Sequence, residues 1–267
     1  MSAVFGRYSN RACTMIEILE HIRREVAALD WKAVFALVYA AVGLTGIYYL
    51  KNQETVAKLL AGTQFEDFGN WIAYSADNNL PGLGWWVSVV TIFYFALPAL
   101  AIKYLYRERL ADYGLKHAIE PGFGKLLAAC VAVMLPVTYL MSLTSGFAGK
   151  YPFLRIHNGE PYIGQTLLVW ELIYFLQFFG LEFFFRGFLV HSLKRSLGLY
   201  SIFVMTVPYC MIHFSKPPAE TLAAIAAGIF LGWLSYKNGS IWLGLILHCT
   251  VAFSMDILAL WNKGLLY

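Results

Sequence analysis

The sequence predicts an all-α, polytopic membrane helical bundle of about seven transmembrane helices, seven to eight by length, plus an N-terminal amphipathic helix. Three observations carry this. Of the 267 residues 59% are hydrophobic and only 13% charged, with a mean hydropathy of +0.60. A soluble domain is about 45–50% apolar and about 25% charged, so this chain cannot cover itself with polar surface. Second, the apolar residues fall in runs long enough to cross a bilayer, for which about 17–25 residues are needed. Third, the 20 Lys and Arg and 16 Asp and Glu cluster between those runs, as in membrane proteins, rather than forming the basic stripe of a nucleic-acid binder.

Residues 14–29 place Met15, Ile18, Leu19, Ile22, Val26 and Leu29 on one helical face, with Glu17, Glu20, Arg24 and Glu25 largely elsewhere, the pattern of a helix lying in the membrane interface. A short soluble cap helix has the same pattern. Before Trp31 no uninterrupted apolar core occurs, so no signal peptide is expected and insertion falls to the first crossing. Crossings are expected at about 33–50, 83–103, 125–146, 164–190, 199–213, 220–236 and 240–261, the fifth and sixth being short. Assigned to alternating sides, the basic residues between crossings divide 13 to 6, which puts the N-terminus in the cytoplasm and the C-terminus outside. No internal repeat is evident, and the polar stretch 51–81 is too short for a second domain. The whole chain, 1–267, reads as one transmembrane domain. Cys13, Cys130, Cys210 and Cys249 lack paired spacing and read as small core residues.

A charge inside lipid costs roughly 2.5–3.5 kcal/mol even on the lenient insertion scale, so ionisable groups within crossings are functional candidates. The fourth crossing holds Glu171, Glu182 and Arg186, the fifth ends at His213, Glu220 opens the sixth, and the seventh carries His248 and Asp256. Glu182 and Arg186 are four apart and share a helical face, which allows an ion pair whose role could be structural alone. Glu171, eleven residues before Glu182, lies about 20° around and about 16 Å along; Asp256 lies about 80° around and about 12 Å beyond His248, too far for a direct bond between those two. Glu220 follows two prolines and reads as a first-turn acid favoured by the helix dipole.

A carboxylate that takes a proton from water, an imidazole that orients the water or protonates the leaving amine, and a further donor for the oxyanion are what amide hydrolysis needs. The motifs G-x-S-x-G, S-x-x-K and H-E-x-x-H are absent. Two histidines and a carboxylate could ligate zinc from separate helices, but without a spacing signature no cofactor is expected.

The order Glu-xxx-Arg, Tyr-xxx-His and His on consecutive C-terminal crossings resembles the CPBP family, the CAAX-prenyl proteases and bacteriocin-processing (Abi) proteins, whose motifs are EExxxR, FxxxH and HxxxN. Glu182 and Arg186 match the second Glu and the Arg of the first motif, Tyr209 and His213 the second, and His248 the His of the third; Arg186-Gly187-Phe188 is also typical. The resemblance covers 164–261, the motif-bearing catalytic core. Leu181 stands where the family has its first Glu and Ala252 where it has the Asn; a related divergent pattern would restore a polar group through Asp256.

The resemblance implies a glutamic-type intramembrane peptidase acting on a membrane-anchored protein or peptide, located in the bacterial inner membrane. Glu182 would be the general base, His213 the water-orienting or acid partner and His248 the oxyanion donor, with Arg186 holding Glu182 and with Asp256 and Glu171 in supporting positions. Two alternatives stay open. One is an inactive immunity or binding protein on the same scaffold, favoured by the two departures; the other is a proton-coupled carrier, against which stands the lack of inverted repeats.

Overall fold

The computed structural model describes residues 15–116 and 121–266, so the expectation about Cys13 lies outside the described residues. Helix α1 (Met15–Ala27) buries none of its residues. Three residues separate it from α2 (Trp31–Leu50), which Asp30 caps by accepting the Lys32 backbone N–H at 3.0 Å. In α2 the buried residues Ala33, Ala36, Ala40, Gly43 and Ile47 recur every three or four positions, a stripe of mostly small side chains that lets neighbouring helices come close.

The polar stretch that follows forms two short helices, α3 (Gln53–Leu60) and α4 (Glu66–Tyr74). Helix α5 (Leu80–Tyr106) is long and twice turns π-helical, at Ile92–Ala96 and Ala101–Tyr106. Helix α6 (Phe123–Ser142), with Pro136 inside it, buries only Thr138 and Ser142 and turns most of its surface outward; the short α7 (Ser145–Lys150) follows. The motif-bearing segment contains α8 (Gln165–Leu197), α9 (Tyr200–Met211), α10 (Pro218–Asn238) and α11 (Trp242–Asn262).

Of the seven expected crossings, six form helices long and apolar enough to cross a membrane; α9, at 12 residues, is the exception. The protein is a polytopic, integral membrane bundle. The expected fifth crossing is thus shorter than a bilayer requires, and the fourth runs seven residues further, to Leu197.

Hydrogen bonds at the helix ends sort the connections into two groups. At one end Asp30 accepts the Ser196 hydroxyl at 2.7 Å, Lys32 pairs with Glu108, the Ile241 N–H donates to the Gly114 carbonyl at 3.1 Å, and Lys194 donates to the Tyr236 carbonyl at 2.8 Å. The Ser196 hydrogen bond also holds the Asp30 carboxyl below the usual range. At the other end Asn78 bridges to Ile156, Asn79 accepts the Arg155 N–H at 2.8 Å, and the Asn262 amide donates to the Ser142 carbonyl at 3.0 Å. Seven helices therefore pass from end to end among the described residues, with the short α9 counted as one. Reporter fusions at the two termini are expected to report opposite sides of the membrane; the same side for both would mean that α9 returns the chain without crossing.

Candidate active site

The site is assembled on the fourth crossing, where the α-helix ends at Glu182 and a π-helical segment, Phe183–Leu189, begins. Inside apolar surroundings a carboxylate persists only with partners. Oε1 of Glu182 lies 3.1 Å from Nη1 of Arg186 and 2.7 Å from Nδ1 of His248. The first contact realises the i,i+4 spacing, and the second joins α8 to α11. Glu182 and Arg186 are fully buried.

A carboxylate can only accept, so the proton of His248 is assigned to Nδ1, beside Glu182, which makes Nε2 the acceptor of the Tyr209 hydroxyl 3.1 Å away. The Arg186 guanidinium lies over the Tyr209 ring, 3.8 Å from its centre. His213, one turn beyond Tyr209, donates from Nδ1 to the Tyr209 carbonyl at 2.9 Å, which leaves its Nε2 as the free acceptor. The His248 ring stacks on Phe178 at 5.4 Å, continuing the column that Trp170, Tyr174 and Phe178 build on one face of α8.

Two glycines make room for this arrangement. A side chain at Gly244, one turn before His248, would run into the Glu182 carboxylate. At Gly187, of the Arg-Gly-Phe run, a Cβ would lie 2.5 Å from the Tyr113 carbonyl oxygen, so this glycine lets the 3-10 turn Leu110–Tyr113 press against the π-helical segment.

Glu182, Arg186, Tyr209 and His248 thus form one cluster, with His213 attached through Tyr209. Asp256 and Glu171 belong elsewhere. The indole N–H of Trp170 donates to Oδ2 of Asp256 at 2.7 Å, and neither oxygen of the buried Glu171 has a hydrogen-bond partner among the described residues. Glu220, in the first turn of α10, pairs with Lys216 at 2.6 Å and accepts the Tyr151 hydroxyl.

The two departures from the motifs lie in apolar clusters: Leu181 among the residues packed around Tyr94 and Phe184, and Ala252 beside Trp170, Tyr174 and Phe178. Among the described residues no three His, Cys, Asp or Glu side chains are grouped to hold a metal ion. A half-open cavity of about 310 Å³ lies at the far end, by Tyr151, Arg155, His157 and Lys263, and includes none of the motif residues.

Sequence reasoning did not single out Tyr209 or Gly244 as site residues. A phenolic hydroxyl one turn before His213 was the available signal for the first. For Gly244 only the packing partner reveals the need.

Overpacking in a close-packed interior costs about 1–3 kcal/mol, so Gly244→Ala is expected to lower stability by that amount in a denaturant melt. Gly84→Ala, at a helical position with nothing within 4 Å, should be neutral or stabilising. Equal behaviour of the two variants would mean that Glu182 does not lie against α11 at this point.

Residues 163–254 match the family model described as type II CAAX prenyl endopeptidase Rce1-like. No curated protein and no solved structure matches the chain. The matched segment, about a third of the chain, contains Glu182, Arg186, Tyr209, His213 and His248, and in it the chain is similar to that family, with Leu181 and Ala252 as departures from the motifs.

Proposed function

We propose that the protein is an intramembrane endopeptidase that hydrolyses a peptide bond of a membrane-associated protein or peptide with water activated by Glu182. The observation that carries this reading is the asymmetric environment of the Glu182 carboxylate: Oε1 lies at ion-pair distance from both Arg186 and His248, while Oε2 has no ion-pair partner among the described residues. A carboxylate fixed at one oxygen and open at the other is suited to take a proton from water. The water oxygen adds to the scissile carbonyl carbon as its proton passes to Oε2. The C–N bond then breaks, and the amine leaves with that proton.

His213, whose Nε2 is an acceptor, orients the water or carries the proton to the leaving amine. The resemblance assigned His248 to the oxyanion. With its proton on Nδ1 the ring has no N–H to spare, because Nδ1 faces Glu182 and Nε2 meets the Tyr209 hydroxyl. We therefore assign the oxyanion donor to the Tyr209 hydroxyl, which turns from His248 Nε2 to the substrate oxygen as negative charge develops there. Substrate enters from the histidine side, since the His248 side chain is 20% exposed and that of Glu182 0%. The basic face of the bundle, which includes Lys32 and Lys194, is taken as cytoplasmic.

A second reading is an inactive immunity or binding protein. The apolar surroundings of Leu181 and Ala252 favour it, because neither position leaves a polar site for a substitute group.

The two readings separate on one experiment. Purified protein in proteoliposomes is given a library of membrane-anchored peptides, and cleavage is followed by mass spectrometry. On the peptidase reading Glu182→Gln lowers the rate by about 10²–10⁴-fold while the protein still inserts and folds, and Glu171→Gln is milder. If Glu182→Gln retains full activity the base lies elsewhere, and if no variant cleaves anything the binding-protein reading takes over. Arg186→Ala should lose activity and about 3–5 kcal/mol of stability in a denaturant melt, because it leaves a buried carboxylate without its cation.

A further inference from the structure

A π-turn shifts the helical hydrogen bond from i,i+4 to i,i+5 and leaves a carbonyl without its usual donor. The fourth crossing does this at the site itself. The Val190 N–H reaches the Phe185 and Gly187 carbonyls and passes over that of Arg186. The Arg186 carbonyl is met instead by the hydroxyl of Ser235, which crosses from α10 at 2.8 Å. Ser235 has a single hydroxyl proton and spends it on this bond, so its oxygen accepts from Nε2–H of His191, 3.2 Å away. Ser235 is buried, at 1% exposure.

The same arrangement occurs a second time in the bundle. In the π-turn Ile92–Ala96 the Leu97 N–H goes to the Ile92 carbonyl, and the Phe93 carbonyl it passes over accepts the Tyr39 hydroxyl from α2 at 2.6 Å. A hydroxyl from a neighbouring helix thus takes up the released carbonyl at two of the three π-helical segments among the described residues. Tyr39 packs its ring against Phe184 and Phe188 and bonds a carbonyl of α5; Ser235 acts on the backbone of the arginine that holds Glu182.

We propose that Ser235, fixed by His191, is a positioning residue of the site. By holding the backbone of Arg186 it sets the guanidinium, and through it the Glu182 carboxylate, against His248. Neither Ser235 nor His191 touches the reacting groups. The inference rests on the peptidase reading for its kinetic consequence but not for its structural one, and the experiment has an arm for each.

The full-length protein, in detergent micelles and labelled with ¹⁵N-histidine, is compared as wild type, Ser235→Ala and Ser235→Thr. With six histidines in the chain, the His248 ring signals are assigned by their loss in His248→Gln. Wild type is expected to show His248 protonated on Nδ1. Ser235→Ala, still folded by its melting transition, should displace the His248 ring signals and lower kcat by on the order of tenfold with KM nearly unchanged. Ser235→Thr, which keeps the hydroxyl, should restore both. If the added methyl prevents insertion, Ser235→Cys, a weak donor, should fall between Ser and Ala.

Unchanged His248 signals in folded Ser235→Ala would overturn the proposal, as would failure of every folded donor-bearing variant to recover them, since the effect would then be one of packing. Should the wild type cleave nothing, the peptidase reading fails and the histidine spectra alone decide the role of Ser235.

Discussion

Glu182 and Arg186 are both removed from solvent in the middle of an apolar helix, and almost every other feature of the core follows from that burial. Either charge alone would be costly in such a place. Four residues apart on one helix, they neutralise each other without calling on another crossing. An ion pair does not by itself satisfy the remaining lone pairs and N–H groups, so the second demand falls on neighbours: His248 supplies a ring nitrogen, Tyr209 a ring face for the guanidinium, and Gly244 the space for the carboxylate. Three helices are thereby locked to one another by a polar contact in a medium where packing alone gives little direction.

The π-helical segment belongs to the same demand. It begins at the residue after Glu182, and the carbonyl it releases is taken up by Ser235 from α10. The ion pair and the helical irregularity are therefore fixed by α10 and α11 together, and the glycine at 187 lets the connection after α5 close over them. The aromatic side chains complete the enclosure. Trp170, Tyr174 and Phe178 stack along α8 and end on the face of His248, which restricts the ring to the plane in which both of its nitrogens meet partners.

Polar groups outside this cluster are handled differently. Asp256 has one strong donor, the Trp170 indole, and Glu171 has none among the described residues, while Glu220 sits near the bundle end with a lysine and a tyrosine. The buried acids thus divide into Glu182, held beside an arginine and a histidine, and Asp256 and Glu171, which lie outside that cluster.

By itself the sequence determined the helical membrane class, the approximate crossings and the ion pair, because hydropathy and the 3.6-residue period act locally and survive without knowledge of neighbours. It also placed Arg186 beside Glu182 and picked His213 and His248 out of apolar runs, since a charge or an imidazole in lipid is conspicuous wherever it stands. Spacing further excluded a direct bond from Asp256 to His248. The tertiary structure alone decided that Asp256 meets Trp170 and that Leu181 faces an apolar cluster, because both depend on which crossings are adjacent. It alone decided that His248 presents Nδ1 to Glu182 and Nε2 to Tyr209, a choice set by groups 66 and 39 positions away. Ser235, His191 and Gly244 had no signal in the sequence, for a serine, a histidine near a helix end and a glycine in a membrane helix are ordinary until the backbone they serve is in place.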